Sequence, residues 1–215
     1  MKKILLCLAA FSAVAAAQAH FVYAVIADNT MKVGLEEWPG DSDVPNIAGK
    51  GEKLQFFGVG RKALKGKLSD DGFLRADLNG AKVAGAEIRY GVLDKGATFL
   101  LDYHAKAAVD GESAKQIVGL GVELVLNKDA EGWYVQVMKD KKPVNEVELT
   151  LELPGVGRQT AGNTGKKGLF RLEVNEPGRV IIRGLVKTPV EGEFEGKKYP
   201  EHRAYSTLVV NQVAP

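Results

Sequence analysis

Residues 144–153 read VNEVELTLEL. Val147, Leu149, Leu151 and Leu153 fall on one side of an extended chain and Glu146, Glu148, Thr150 and Glu152 on the other, the period of two expected of a strand with one buried and one wet face. Pro154-Gly155 ends the run. Gly162 to Gly168 supplies a loop, Leu169 to Val174 alternates again, and Pro177-Gly178 turns the chain into Val180 to Val186. With Trp133 to Met138 before this block and Arg203 to Val210 after it, the pattern predicts an antiparallel meander or Greek key. Lys187 to Pro200 reads as a polar connection rich in Gly and Glu.

Working toward the N-terminus, Phe21 to Ile26 (FVYAVI) is apolar on both alternating faces, which suits a strand covered on both sides. A polar, glycine-rich stretch follows from Asp28 to Gly51. Leu54 to Val59, Ala86 to Leu93 and Thr98 to Tyr103 are short apolar runs bounded by Gly, Asp or Asn, and they read as strands of a first sandwich. Lys106 to Gln116 is alanine-rich with weak periodicity, compatible with a helical turn or a loop. The expectation is an all-β protein of two Ig-like or prealbumin-like β-sandwich domains, residues 20–129 and 130–215, with the boundary near Lys128 to Gly132.

Composition agrees with a globular chain: 215 residues, 45% hydrophobic and 26% charged. The 25 glycines and 8 prolines show no period of three, which excludes collagen and favours many turns. Lys2 and Lys3 precede an apolar run from Ile4 to Ala17 and then Ala17-Gln18-Ala19, the signature of an export signal cleaved after Ala19. Removing residues 1–19 leaves 27 basic and 27 acidic residues, so no electrostatic footprint for nucleic acid remains. The apolar run is short for a membrane span and no later stretch is long enough, so a soluble periplasmic product without stable membrane insertion is expected. Cys7 lies in the leader and no thiol follows it, leaving the domain to rely on its core.

Cleavage after Ala19 would make His20 the first residue, one of only three histidines, with His104 and His202. A terminal histidine offers the freed α-amine and imidazole Nδ1, which close a chelate ring on a transition metal. An α-amine has an ordinary pKa of about 8, so a divalent metal displaces its proton at modest cost. Further imidazoles would complete a planar nitrogen site, and imidazole suits Cu, Ni, Co and Zn. His104 is expected at the end of its strand, sharing a face with Asp102, and His202 at the start of the last strand; both would then emerge at sheet ends where the three could converge. Asp102, Tyr103, Glu201 and Tyr205 are candidate supporting oxygen groups. Against this stands the ordinary reading of each histidine as a surface or capping residue.

Two resemblances add to this reading. KDKKPVNEVELTLELPG followed by NTGKKGLFRLEVNEPGRVIIRG resembles the prealbumin-like or collagen-adhesin B-type sandwich, through Pro143, Thr164, Gly168, Phe170, Pro177 and Gly178. Lys167-Gly168 replaces the Asp-Gly turn usual in that family. The leader ending directly before His20-Phe21, the Tyr103-His104-Ala105-Lys106 segment and the closing run Tyr205 to Val210 resemble a family of exported bacterial components of nickel or cobalt uptake. That resemblance implies Ni²⁺ or Co²⁺ as cargo, His20 and internal histidines as ligands, and a membrane metal transporter as partner; the C-terminal membrane helix of some relatives has no counterpart before Pro215.

Other functions stay in play. A periplasmic copper carrier uses the same nitrogens, and affinity order favours copper. A copper monooxygenase acting on polysaccharides also begins with a ligand histidine, but Trp38, Tyr90, Trp133, Tyr134 and Tyr199 are scattered. A metal-free structural or adhesive sandwich needs only the second half. Signatures such as G-x-S-x-G, H-E-x-x-H and the Walker loop are absent from the sequence, so a carrier rather than an enzyme is expected.

Overall fold

A computed structural model describes residues 20–39, 47 and 49–215. The leader expected over residues 1–19 lies outside the described residues. Among the described residues, sixteen strands and one short α-helix make up the regular structure, apart from isolated 3₁₀ turns. The all-β class is therefore observed, with sheets packed face to face.

Three sheets form three layers. The central one has eight strands in the order β13-β12-β15-β16-β8-β7-β3-β4, comprising Gly157–Asn163, Glu148–Leu153, Gly178–Phe194, Lys197–Val213, Thr98–Asp110, Val83–Asp94, Gln55–Gly58 and Lys62–Leu64. On one face lies a four-stranded sheet of β1 (Phe21–Ala27), β2 (Thr30–Glu36), β6 (Leu74–Asp77) and β5 (Gly66–Leu68). On the other lie β9 (Val122–Asp129), β10 (Gly132–Lys139), β11 (Lys142–Pro143) and β14 (Leu169–Arg171). β8 and β16 pair in parallel, and the other neighbours in the central sheet are antiparallel.

The alternation of strand side chains separates two cores. Ala84, Ala86, Ile88, Phe99, Leu101, Tyr103, Ala105 and Val209 face β1 and β2, whereas Val83, Ala108, Val180, Ile182, Leu208 and Val210 face β9 and β10. Both cores draw residues from both halves of the chain. The boundary expected between residues 129 and 130 falls in the turn of the β9–β10 hairpin, whose strands pair along their whole length. In addition β8, from before that point, pairs with β16, from after it. The cores follow the two faces of the central sheet rather than the order of the chain.

Two local expectations change. Alanine is the best helix former, but Ala105, Ala107 and Ala108 sit fully buried in β8, which runs on to Asp110. Small side chains are what a strand covered on both faces needs if its neighbours are to approach closely, and that tertiary demand outweighs helix propensity. Only Gly111–Ala114 is helical, capped by the Asp110 side chain on Ser113 N. The connection expected over Lys187 to Pro200 is instead the far end of the β15–β16 hairpin, closed by Glu195 and Gly196, both with left-handed φ, as a tight two-residue hairpin turn requires.

Candidate functional site

β8 carries Asp102, His104 and Lys106 on one face, and each meets a partner from a neighbouring element. Directly across the β7–β8 ladder, Arg89 opposes Asp102 and Glu87 opposes His104. The Arg89 guanidinium donates through Nε and Nη2 to the two Asp102 carboxylate oxygens, at 3.1 Å each. His202 Nε2 lies 3.0 Å from Asp102 Oδ2 and His104 Nδ1 lies 3.4 Å from Glu87 Oε2. Both nitrogens are buried, and neither makes an aligned hydrogen bond; the contacts are electrostatic. Arg61 donates to Glu87 Oε1 and to Gly119 O.

Burial raises the Glu87 carboxyl, but the opposing contacts with His104 and Arg61 outweigh it and hold it at about 2. Asp102 is shifted the same way: desolvation raises it, and His202 and Arg89 more than compensate. Both carboxylates therefore stay charged and engaged.

Deeper along the same face, Lys106 is fully buried and donates to Glu123 Oε1 at 2.8 Å and to Gln116 O at 2.7 Å. Glu123 also accepts the backbone N–H groups of Val118, Gly119 and Leu120. This pair clamps the segment entering β9 against the sheet. Gly121 completes the arrangement, because a Cβ there would stand 3.0 Å from the His104 ring.

A cleft of about 910 Å³ opens over this face. His104, His202, Glu87, Arg89, Asp102 and Arg61 line it together with the 119–122 segment, Lys139–Lys141, Lys53, Phe194 and Glu195, among others. His104 and His202 thus share one cleft. They do not meet at one point: His202 is level with Leu100 in the parallel register and His104 with Ser206, so four strand residues, about 13 Å, separate them along the sheet.

His20 is elsewhere. It precedes β1, and its carbonyl accepts a hydrogen bond of 3.1 Å from the Tyr103 hydroxyl. Tyr103 points to the face opposite Asp102 and His104, where it stacks on Tyr205, itself in edge contact with Phe21. The convergence of His20, His104 and His202 is therefore not what the fold makes. Two further placements differ: His104 is mid-strand and 7% exposed, and His202 lies within a 17-residue strand, because β8 and β16 both run beyond the ends expected for them. Of the supporting groups, only Asp102 contacts a histidine side chain; Glu201 pairs with Arg203. Among the described residues no group of three or more His, Cys, Asp and Glu side chains is placed to hold a metal ion.

Sequence reading missed Glu87, Arg89 and Arg61. Period-two alternation marked Asp102 and His104 as sharing a face, but cross-strand partners depend on a register that only the folded sheet defines.

No family model matches the chain and no curated protein matches it. Among solved structures, the D0-D1 domain of Intimin is similar over 88% of this chain and 97% of its own, at 11% identity and a TM-score of 0.22, too slight a likeness to carry an argument. Among the described residues no helix is long and apolar enough to cross a membrane.

Proposed function

We propose that the chain, cut after Ala19, is a periplasmic carrier of a divalent transition metal, nickel or cobalt, held by the α-amine and imidazole of His20 alone. The observation that supports this reading is the anchoring of that residue: β1 is buried along most of its length, and Tyr103 pins the His20 carbonyl while the residue as a whole remains half-buried. This six-membered chelate gains from a fixed backbone, since less freedom is lost when the ring closes. Two protein nitrogens leave the remaining coordination positions to water or to a receiving protein, which suits transfer to a membrane transporter better than storage. His104 and His202, on the other side of the central sheet, take no part.

The test is calorimetric titration of Ni²⁺, Co²⁺ and Cu²⁺ into protein beginning at His20 and into the same protein carrying His20→Ala. One equivalent bound by the first and lost in the second supports the chelate and ranks the metals. Equal binding by both forms, or binding by neither, overturns it.

A further inference from the structure

The cleft over β8 is unused by the His20 reading, and its chemistry is of another kind. Five basic side chains line it, Lys53, Arg61, Arg89, Lys139 and Lys141, against four carboxylates, before its two histidines are counted. Three of those carboxylates are already occupied: Glu87 by Arg61, Asp102 by Arg89 and Glu195 by Lys53. A cation entering here would have to displace a guanidinium or ammonium from each. Lys141 makes no ion pair among the described residues, and Lys139 spends one of its three donors on Thr188 Oγ1, at 2.6 Å. His104 Nδ1 and His202 Nε2 are buried in the walls against the Glu87 and Asp102 carboxylates, at 3.4 and 3.0 Å. The volume lies within the range of pockets that take small molecules, about 300–1,000 Å³. Phe194, with the Arg89 guanidinium 5.7 Å from its ring, supplies an apolar wall.

We propose that this cleft is a binding site for a small organic oxyanion, a molecule carrying carboxylate or phosphate groups, with Lys139 and Lys141 as its principal charge partners and His104 and His202 as polar groups of its walls. Charge-assisted hydrogen bonds to a ligand of this class are the strong kind, and the partly enclosed cleft screens them less than open surface would. The site is independent of His20, and its test uses a protein in which the terminal imidazole is removed.

The experiment is calorimetric titration of citrate and of inorganic phosphate, with glucose as the uncharged control, into the His20→Ala protein in a metal-free buffer that contains no carboxylate or phosphate. One of the two anions should bind with a stoichiometry of one, glucose should not, and the stronger of the two identifies the oxyanion. Lys139→Ala/Lys141→Ala, which changes the last residue of β10 and one residue of the turn after it, should weaken binding at least tenfold, and His202→Gln should also weaken it. Absence of binding by both anions at millimolar concentration would overturn the proposal, as would binding unchanged in the double lysine variant.

Discussion

Lys106→Met should be among the most destabilising single changes in the molecule, and its cost follows from the geometry around Glu123. The ammonium is fully buried, 2.8 Å from Glu123, and burial pulls the Lys106 amine below its ordinary range despite that partner. Removing one member of a buried pair generally costs about 3–5 kcal/mol, because the other charge is left without compensation. Here the three backbone N–H groups of Val118, Gly119 and Leu120 still solvate the carboxylate, which puts the expected loss at about 3 kcal/mol, the low end of that range. The usual remedy, replacing both partners by apolar residues, should fail. Lys106→Met/Glu123→Leu would strand those three donors, at about 1–3 kcal/mol for each that finds no water. Urea unfolding followed by tryptophan fluorescence measures this: with a slope of about 2–3 kcal/mol per molar, Lys106→Met should move the midpoint down by about 1–1.5 M. The double variant should be no more stable than the single one. A single variant within about 0.5 kcal/mol of wild type, or a double variant as stable as wild type, would refute the assignment of this pair as the clamp on the 116–121 segment.

Further outcomes are expected. Tyr103→Phe removes the hydrogen bond to His20 and should cost about 1 kcal/mol in the same assay while leaving the midpoint cooperative. Glu87 has a folded value of about 2 against an ordinary 4.5, so its contribution is complete above pH 4.5 and is lost as pH falls toward 2. Urea midpoints between pH 5 and 2.5 should therefore fall less steeply for Glu87→Gln than for wild type. Gly168 has φ of 66°, and a Cβ there would meet Val144 O at 2.7 Å; Gly168→Ala should destabilise by about 2–3 kcal/mol, visible as a lowered thermal midpoint.

Much of the fold is legible in strand periodicity. FVYAVI lies in β1 and the alternating run before Pro154 contains β12, because burial on two faces or on one leaves a direct mark on sequence. What periodicity does not carry is which strands share a sheet. The parallel pairing of β8 with β16 joins residues about a hundred positions apart and makes one sheet serve both halves. The same limit governs the site. Asp102 and His104 could be placed on one face by parity alone, whereas the position of His20 behind that face depends on β1 packing against Tyr103, a contact between sheets. Composition could not decide Lys106 to Gln116, whose first residues continue β8 and whose Gly111–Ala114 forms a helical turn, because alanines suited to close packing resemble alanines suited to helix.

The proposed metal site consists of His20 alone, across the sheet from the other two histidines. With three histidines in the chain, the imidazole NMR signals of His20, His104 and His202 can each be assigned and followed as Ni²⁺ is added to protein beginning at His20. One equivalent should shift or broaden away the His20 signals while those of His104 and His202 keep their positions. Loss of the His104 or His202 signals at one equivalent, with His20 unmoved, would contradict it.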